Sequence, residues 1–387
     1  MSMWPQKFGG GRDRCFDIAK GIGIILVVCG HARAPFNHFL SLFHMALFFM
    51  ISGYLYNDSC AKDFQSVQGY TLKKLKSLWI PYFVSNLFFI SLNNLFIKCG
   101  IYSTKPEFLE IVTGSRNELA RIFGVMDYFT ELFKAFFMLD NAQIGGALWF
   151  LRTLFIITVG HNFLMWLTVK MKNKNAVFIV LLVLCAALAM VIMNADMLIP
   201  EWESGGLMKV AVKAGRQMFA PYLVYVLGIA AKRMDVNTLL NKNRIVIGIS
   251  SFLLLLLLNQ FGRVDLSMGF FTNLPYFAVV SSFGYAMVIS ISYCIEKFWV
   301  LRIPLEYLGK HTMCIIVLHL LSFKVVSYIY VFATKSDSML LASFPVLDNT
   351  ARYLWMAYSV VGIVLPVICY QFYRAIRGTA RKLMERK

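Results

Sequence analysis

The sequence predicts an all-α polytopic membrane protein with about ten transmembrane helices, and three observations carry that expectation. Hydrophobic residues fill 59% of the 387 positions and charged residues 15%, against roughly half and a quarter in an average soluble domain. Apolar stretches of about 20 residues, the length that crosses a bilayer as a helix, recur from one end of the chain to the other. The 38 Lys and Arg outnumber the 20 Asp and Glu, and they gather in short clusters between the apolar stretches.

The same composition excludes other classes. Gly and Pro number only 25 and 10, which rules out collagen-like and low-complexity disordered chains. Of the eight cysteines, Cys29, Cys185, Cys294, Cys314 and Cys369 lie in apolar runs, and no C-x-x-C or Cys/His cluster exists. Neither a disulfide framework nor a metal site is expected. The net charge of +18 is read as orienting charge at membrane edges, so no nucleic-acid partner is expected.

The expected spans lie near 16–35, 38–57, 79–97, 147–169, 176–198, 208–231, 244–261, 274–295, 307–333 and 353–374. The first follows basic residues, as a signal peptide would. No small-residue cleavage site follows it and the second span begins almost at once, so it is expected to be retained. More than half of the basic residues fall on one side of the alternation: the N-terminus, 58–78, 170–175, 232–244, 296–310 and the C-terminus. That places both termini in the cytoplasm, in keeping with an even number of spans. The long break, 98–146, interleaves acidic residues with Tyr128-Phe129 and Leu132–Phe137 at helical spacing, which reads as an amphipathic outer-surface element or a solvated loop. No linker or repeat interrupts the chain, so residues 1–387 form one membrane domain.

Ionisable side chains inside a bilayer are costly and call for a hydrated cavity or a polar partner. Asp17, Lys20, His31 and Arg33 lie on the first span, His44 on the second, Arg152 and His161 on the fourth, Arg216 on the sixth, and His319 and Lys324 on the ninth. At 100° per residue, Lys20 and His31 fall within about 60° and 40° of Asp17, which makes one polar stripe. His31 stands about 16 Å beyond Lys20 along the axis. The charged pair therefore marks a cytoplasmic mouth and the imidazole lies deep, an arrangement suited to an elongated ligand with an anionic end. An i,i+3 pair of Asp17 with Lys20 and a histidine satisfied by a neighbouring helix is the plainer reading. His44 and His319 at similar depth favour a reactive site, because imidazole is the natural general base near neutral pH.

Arg152 follows Leu148-Trp149-Phe150-Leu151 and is read as lining the chamber, with interfacial snorkelling as its alternative. Arg216 sits on a generally polar helix face beside Gln217 and is a supporting candidate. Lys73, Lys74 and Lys76 precede Trp79-Ile80-Pro81-Tyr82 and serve either as phosphate ligands or as orienting charges. His38, His161 and His311 are read as structural. Ser52 lacks the G-x-S-x-G setting of a hydrolase nucleophile, and Gly53 beside it is expected to permit close helix approach.

Several of these segments match a known family. Asp17-Ile18-Ala19-Lys20-Gly21 running to Val27-Val28-Cys29-Gly30-His31, with Phe43-His44-Met45 through Ser52-Gly53-Tyr54, resembles the start of the acyltransferase-3 family of integral-membrane O-acyltransferases. The likeness is nearest to its fucose 4-O-acetylase-like members. Trp79-Ile80-Pro81-Tyr82, Ala147-Leu148-Trp149-Phe150-Leu151, and Leu305–Thr312 leading to His319 agree in family order. The resemblance implies a multi-pass protein of the plasma (bacterial inner) membrane. Its acyl donor would be cytoplasmic acetyl-CoA, and its acceptor a hydroxyl of a glycan, a lipid-linked glycan or another envelope molecule. It puts the essential first-span histidine on His31 and the first-span basic position, often Arg, on Lys20. Lys20, Lys73, Lys74 and Lys76 would then attract coenzyme A phosphates, and His31 would serve as general base or transient acyl carrier. A transporter or flippase for a polyprenyl-linked glycan is the rival from another class, although no inverted repeat is visible.

Overall fold

The computed structural model describes residues 13–112, 117–169, 207–347 and 353–384, with scattered positions between 176 and 191. Its first half builds α1 (Arg14–His31), α2 (Asn37–Ser41), α3 (His44–Tyr54), α4 (Phe64–Lys74), α5 (Ile80–Ser91), α6 (Asn93–Lys98), α7 (Glu107–Ile111), α8 (Val125–Phe136) and α9 (Trp149–Leu167). The second half adds α10 (Leu207–Arg233), α11 (Val236–Lys242), α12 (Arg244–Leu258), α13 (Leu274–Ile295), α14 (Trp299–Lys310), α15 (Thr312–Thr334) and α16 (Leu354–Met384). Two short antiparallel strands, β1 (Val264–Asp265) and β2 (Phe270–Phe271), form a hairpin between α12 and α13. The protein is mostly helical, as its composition predicts.

Among the described residues, four helical stretches are long and apolar enough to cross a membrane: Gln143–Leu167, Leu274–Ile295, Thr312–Thr334 and Leu354–Thr379. The pair α11 and α12 is a fifth candidate, bent by 102° at its break. These stretches cover most of the expected spans at 147–169, 244–261, 274–295, 307–333 and 353–374. The expected span at 176–198 falls mostly outside the described residues.

Several expected spans are not single straight helices, and the polar side chains at the breaks explain why. Within 38–57 the helix is interrupted between α2 and α3, where the His44 ring takes the Leu40 carbonyl at 2.6 Å. Segment 79–97 is the upper part of a longer rod, in which a π segment at Leu75–Trp79 joins α4 to α5 and Pro81 sits in the first turn. It then breaks at Leu92, beyond which Asn94 is engaged with Phe123 rather than with its own helix. The segment 307–333 divides at His311, whose Nδ1 bonds the Tyr307 carbonyl at 2.7 Å. α1 is 18 residues long but carries Arg14, Asp17 and Lys20 in its first two turns, so its apolar length is shorter than expected.

Within the long break 98–146, where the sequence offered an amphipathic element or a solvated loop, α8 is a helix with one apolar face, and residues 123–145 follow α5 along its length. Asn94 binds Phe123 at one end through both amide atoms, at 2.8 and 2.9 Å. Trp79 packs against Phe136 at the other end, ring centroids 5.1 Å apart. The chain then turns back, with Asp140 carbonyl on Tyr82 at 2.7 Å and Ala142 N–H on Asn86 at 2.9 Å. α8 and the returning strand of chain thus make a hairpin beside α5. Met126, Phe129 and Phe133 point outward from it, an apolar face suited to lipid.

The main core is an apolar cluster drawn from most of the helices, with two small clusters about Phe108 and Leu341 beside it. Its tightest crossings are α1 on α14 and α3 on α10. Both depend on glycine pairs. A Cβ on Gly21 or Gly309 would collide with the Leu305 or Asp17 carbonyl, and one on Gly53 or Gly228 with the Tyr225 or Met50 carbonyl. The close approach expected of Gly53 is therefore realised against α10. Because α1 is clamped by α14 near its start, the polar stripe it carries is held in a fixed register.

Candidate active site

His31 is the last residue of α1 and His44 the first of α3, so the intervening turn folds two imidazoles toward one cavity. Arg33 makes that turn possible in a left-handed conformation, φ 56°, and is exposed there, outside the cavity wall. His44 Nδ1 donates to the Leu40 carbonyl, which leaves Nε2 as its acceptor atom, facing α1 near Gly30. His319 approaches from α15 and contacts His31, Nε2 to Nδ1, at 2.7 Å. The sequence placed these three histidines at similar depth; the structure brings all three to one place.

The rest of the cavity wall mixes polar and aromatic groups. Asn37 and Ser41 come from α2, Trp149 and Phe150 from the start of α9, and Asp265 and Ser267 from the β hairpin. The hairpin is a roof, fastened by His38 to the Gly262 carbonyl at 3.1 Å and by Gln217 to the Ser267 carbonyl. Asp265 Oδ1 accepts the backbone N–H of Ser267 and Met268 at 3.0 and 3.2 Å, which fixes the carboxylate at the cavity edge. Asn37, Ser41, Asp265 and Ser267 were not found from sequence. For Asp265 the available signal was Asp-Leu-Ser-Met-Gly, a side chain able to bond its own backbone two residues on.

Arg152 is committed to holding elements together. Its Nη1 donates to the Leu139 carbonyl at 3.2 Å and, more weakly, to that of Met138 at 3.5 Å, and its Nη2 donates to Gln217 Oε1 at 2.7 Å. It does not lie in the cavity wall, though it joins the hairpin beside α5 to α10 and, through Gln217, to the roof. Arg216 stands next to Gln217 on α10, where Gly269 of the roof packs against its side chain.

At the far end of α1, Lys20 Nζ lies 4.0 Å from Asp17 Oδ1, as an i,i+3 pair requires, and Asp17 is 1% exposed. Lys74 is half-buried with its ammonium 5.2 Å from the centre of the Tyr70 ring. Burial, joined by the neighbouring charges of Lys73 and Lys20, pushes the Lys74 amine down to about 8. Lys73 on the same helix and Lys20 on α1 are thus near enough for their charges to act on Lys74. Lys73 and Lys76 are exposed. Of the lysines Lys20, Lys73, Lys74 and Lys76, the charges of Lys20 and Lys73 are felt at Lys74.

His161, read as structural, is 2% exposed and bonds Tyr222 at 3.0 Å within a buried group of tyrosines. Lys324 is 3% exposed and gives its ammonium to the Leu341 and Ser343 carbonyls at 2.8 and 2.7 Å, which anchors the segment before α16. Among the described residues no three His, Cys, Asp or Glu side chains converge as a metal ligand set would.

No curated protein and no solved structure matches the chain. A family profile, acyltransferase-3, described as an acyltransferase domain, matches residues 13–371, which takes in α1, the three histidines and the lysine cluster. The chain belongs to the acyltransferase-3 family of membrane acyltransferases.

Proposed function

We propose that the protein is a multi-pass plasma-membrane O-acetyltransferase that takes acetyl from cytoplasmic acetyl-CoA and delivers it to a hydroxyl of a glycan, a lipid-linked glycan or another envelope molecule. The observation that carries this reading is the division of α1. Lys20 stands in its second turn, near enough to Lys74 for their charges to interact, and a histidine-lined cavity lies about its last residue, roughly 16 Å farther along the axis. Coenzyme A is a long thioester with phosphates far from the reacting carbonyl, so one molecule can engage both ends. Lys20, Lys73, Lys74 and Lys76 would hold the phosphates, and His31 would meet the thioester.

The chemistry needs a base and a place for the acceptor. His31 accepts the proton of the acceptor hydroxyl, the oxygen bonds to the thioester carbonyl, the C–S bond breaks, and the departing thiolate recovers the proton from His31. Trp149 offers a flat face for a sugar ring, while Asn37, Asp265 and Ser267 offer hydrogen bonds to its hydroxyls. His44 stands beside His31 as a second imidazole. About ten spans with both termini in the cytoplasm complete the proposal and put the lysine cluster within reach of cytoplasmic coenzyme A.

The test is thiol release from acetyl-CoA by purified protein in nanodiscs, with and without glycan acceptors. Acceptor-dependent thiol release supports the proposal. Movement of a polyprenyl-linked glycan across proteoliposomes without thiol release would overturn it in favour of a transporter.

A further inference from the structure

The contact between His31 and His319 fixes more than proximity. Their rings are parallel to within 7°, with centroids 4.9 Å apart and the two nitrogens at 2.7 Å. Parallel rings stacked face to face could not bring nitrogens that close, because their planes would stand about 3.5 Å apart or more. The two imidazoles therefore meet end to end in one plane, the alignment in which an N–H points along the partner's lone pair.

The direction of that bond follows from the other side of His319. Its Nδ1 lies 2.8 Å from the Ile315 carbonyl and 3.1 Å from the Ile316 carbonyl. Carbonyl oxygens only accept, so His319 Nδ1 carries the proton. His319 is 0% exposed, and an imidazolium in that position would bear the cost of a buried charge, so the ring is neutral and its Nε2 is an acceptor. The proton in the 2.7 Å contact then belongs to His31 Nδ1. Free imidazole side chains in water favour the opposite tautomer, with the proton on Nε2.

Resting on the proposed acyl transfer, we infer that His319 is a positioning residue: by accepting the Nδ1–H of His31 it holds the less common tautomer and leaves Nε2 of His31 to take the acceptor's hydroxyl proton. The chain of bonds runs from the α15 backbone through His319 to His31, so the helix itself sets which nitrogen is basic. No proton needs to pass along it during the reaction. The hydroxyl proton arrives at Nε2 and leaves from Nε2 to the thiolate, while Nδ1–H stays in place and orients the ring.

The test combines a substrate-free measurement with kinetics. In protein labelled with nitrogen-15 at histidine only, long-range nitrogen–proton correlation identifies which ring nitrogen bears the proton, and His31→Gln assigns the signal. The wild type is expected to show Nδ1–H at His31. His319→Phe, which fills the same space without an acceptor, is expected to return His31 to the Nε2–H form. It is also expected to lower kcat at least tenfold with the KM for acetyl-CoA within twofold. His319→Gln, whose amide carbonyl accepts, is expected to recover part of both. A wild-type His31 protonated on Nε2 would overturn the inference, whatever the variants do. So would a His319→Phe protein with unchanged tautomer and kcat. Nδ1–H at His31 in a protein that releases no thiol from acetyl-CoA would support the pairing and strike down the transfer reading instead.

Discussion

Removing the Lys20 ammonium separates the two jobs this residue is given. Asp17 is buried, and Lys20 lies 4.0 Å from it with a side chain 25% exposed. At that distance and an effective dielectric near 20, the pair is attracted by about 4 kcal/mol. Partial exposure of the lysine screens this to about 2 kcal/mol, between the values for surface and buried pairs. Lys20→Ala should then melt about 2–3 °C below the wild type. If Lys20 also touches a coenzyme A phosphate, the variant loses a charge-assisted hydrogen bond of about 1.5–3 kcal/mol, a weakening of roughly 10- to 100-fold. Asp17→Asn combined with Lys20→Ala also removes the carboxylate that Lys20 faces and should recover most of the melting temperature without recovering affinity. Calorimetric titration of acetyl-CoA and thermal melts of the three proteins decide the matter. Unchanged donor affinity in Lys20→Ala, with only the melt displaced, would refute a phosphate-binding mouth and leave a helix anchor.

Three further outcomes follow from other parts of the molecule. The Lys74 amine, pushed down to about 8 by burial, then by Lys73 and Lys20, loses its charge as pH rises through that value, well below the usual lysine range. Donor affinity should therefore weaken between pH 7 and 9, and Lys74→Arg, charged throughout, should flatten the dependence; a flat wild-type titration would exclude Lys74 as an anion ligand. Because the folded amine binds protons less readily than the unfolded one, its contribution to stability rises across the same interval and up to the ordinary lysine range. Arg152→Lys keeps the charge but loses the fork that reaches Met138, Leu139 and Gln217, and should cost about 1–3 kcal/mol in melts while leaving acetyl-CoA affinity unchanged. Equal stability would show that the fork holds nothing together. For orientation, a thiol introduced at position 118 in a cysteine-free background should react with an impermeant reagent from outside and one at 242 only from inside; the reverse pattern would invert the topology.

The histidines show what a sequence can and cannot make legible. The depth of His31 and His44 follows from helical rise and the short turn between them, so their nearness was readable. The link of His31 to His319 spans 288 positions and depends on how α15 packs, which no local periodicity records. Arg152 illustrates a different limit. Its cost in an apolar helix announced a partner, but the partners are Gln217 on a distant helix and backbone carbonyls within the segment that the sequence offered as an outer-surface element or a loop. The helical spacing of Tyr128-Phe129 and Leu132–Phe137 made α8 legible, whereas its packing along α5 was not, because the return segment has no regular pattern. The roof escaped notice for a similar reason: two strands of two residues each are too short for alternation to show. Helix breaks at Phe43 and His311 were hidden because unbroken apolarity carries no mark of a side chain capturing a backbone carbonyl.

In the proposed reaction His31 performs the transfer at the end of a path that begins at Lys20. Its most direct test is the His31→Ala protein, purified in nanodiscs, with acetyl-CoA binding and acceptor-dependent thiol release measured on the same preparation. Donor affinity is expected to stay within threefold of the wild type, because the phosphates bind far from the missing ring. Thiol release is expected to fall by at least about 100-fold, the contribution a positioned general base makes. Turnover close to that of the wild type, in a variant that binds acetyl-CoA normally, would contradict the account at its centre.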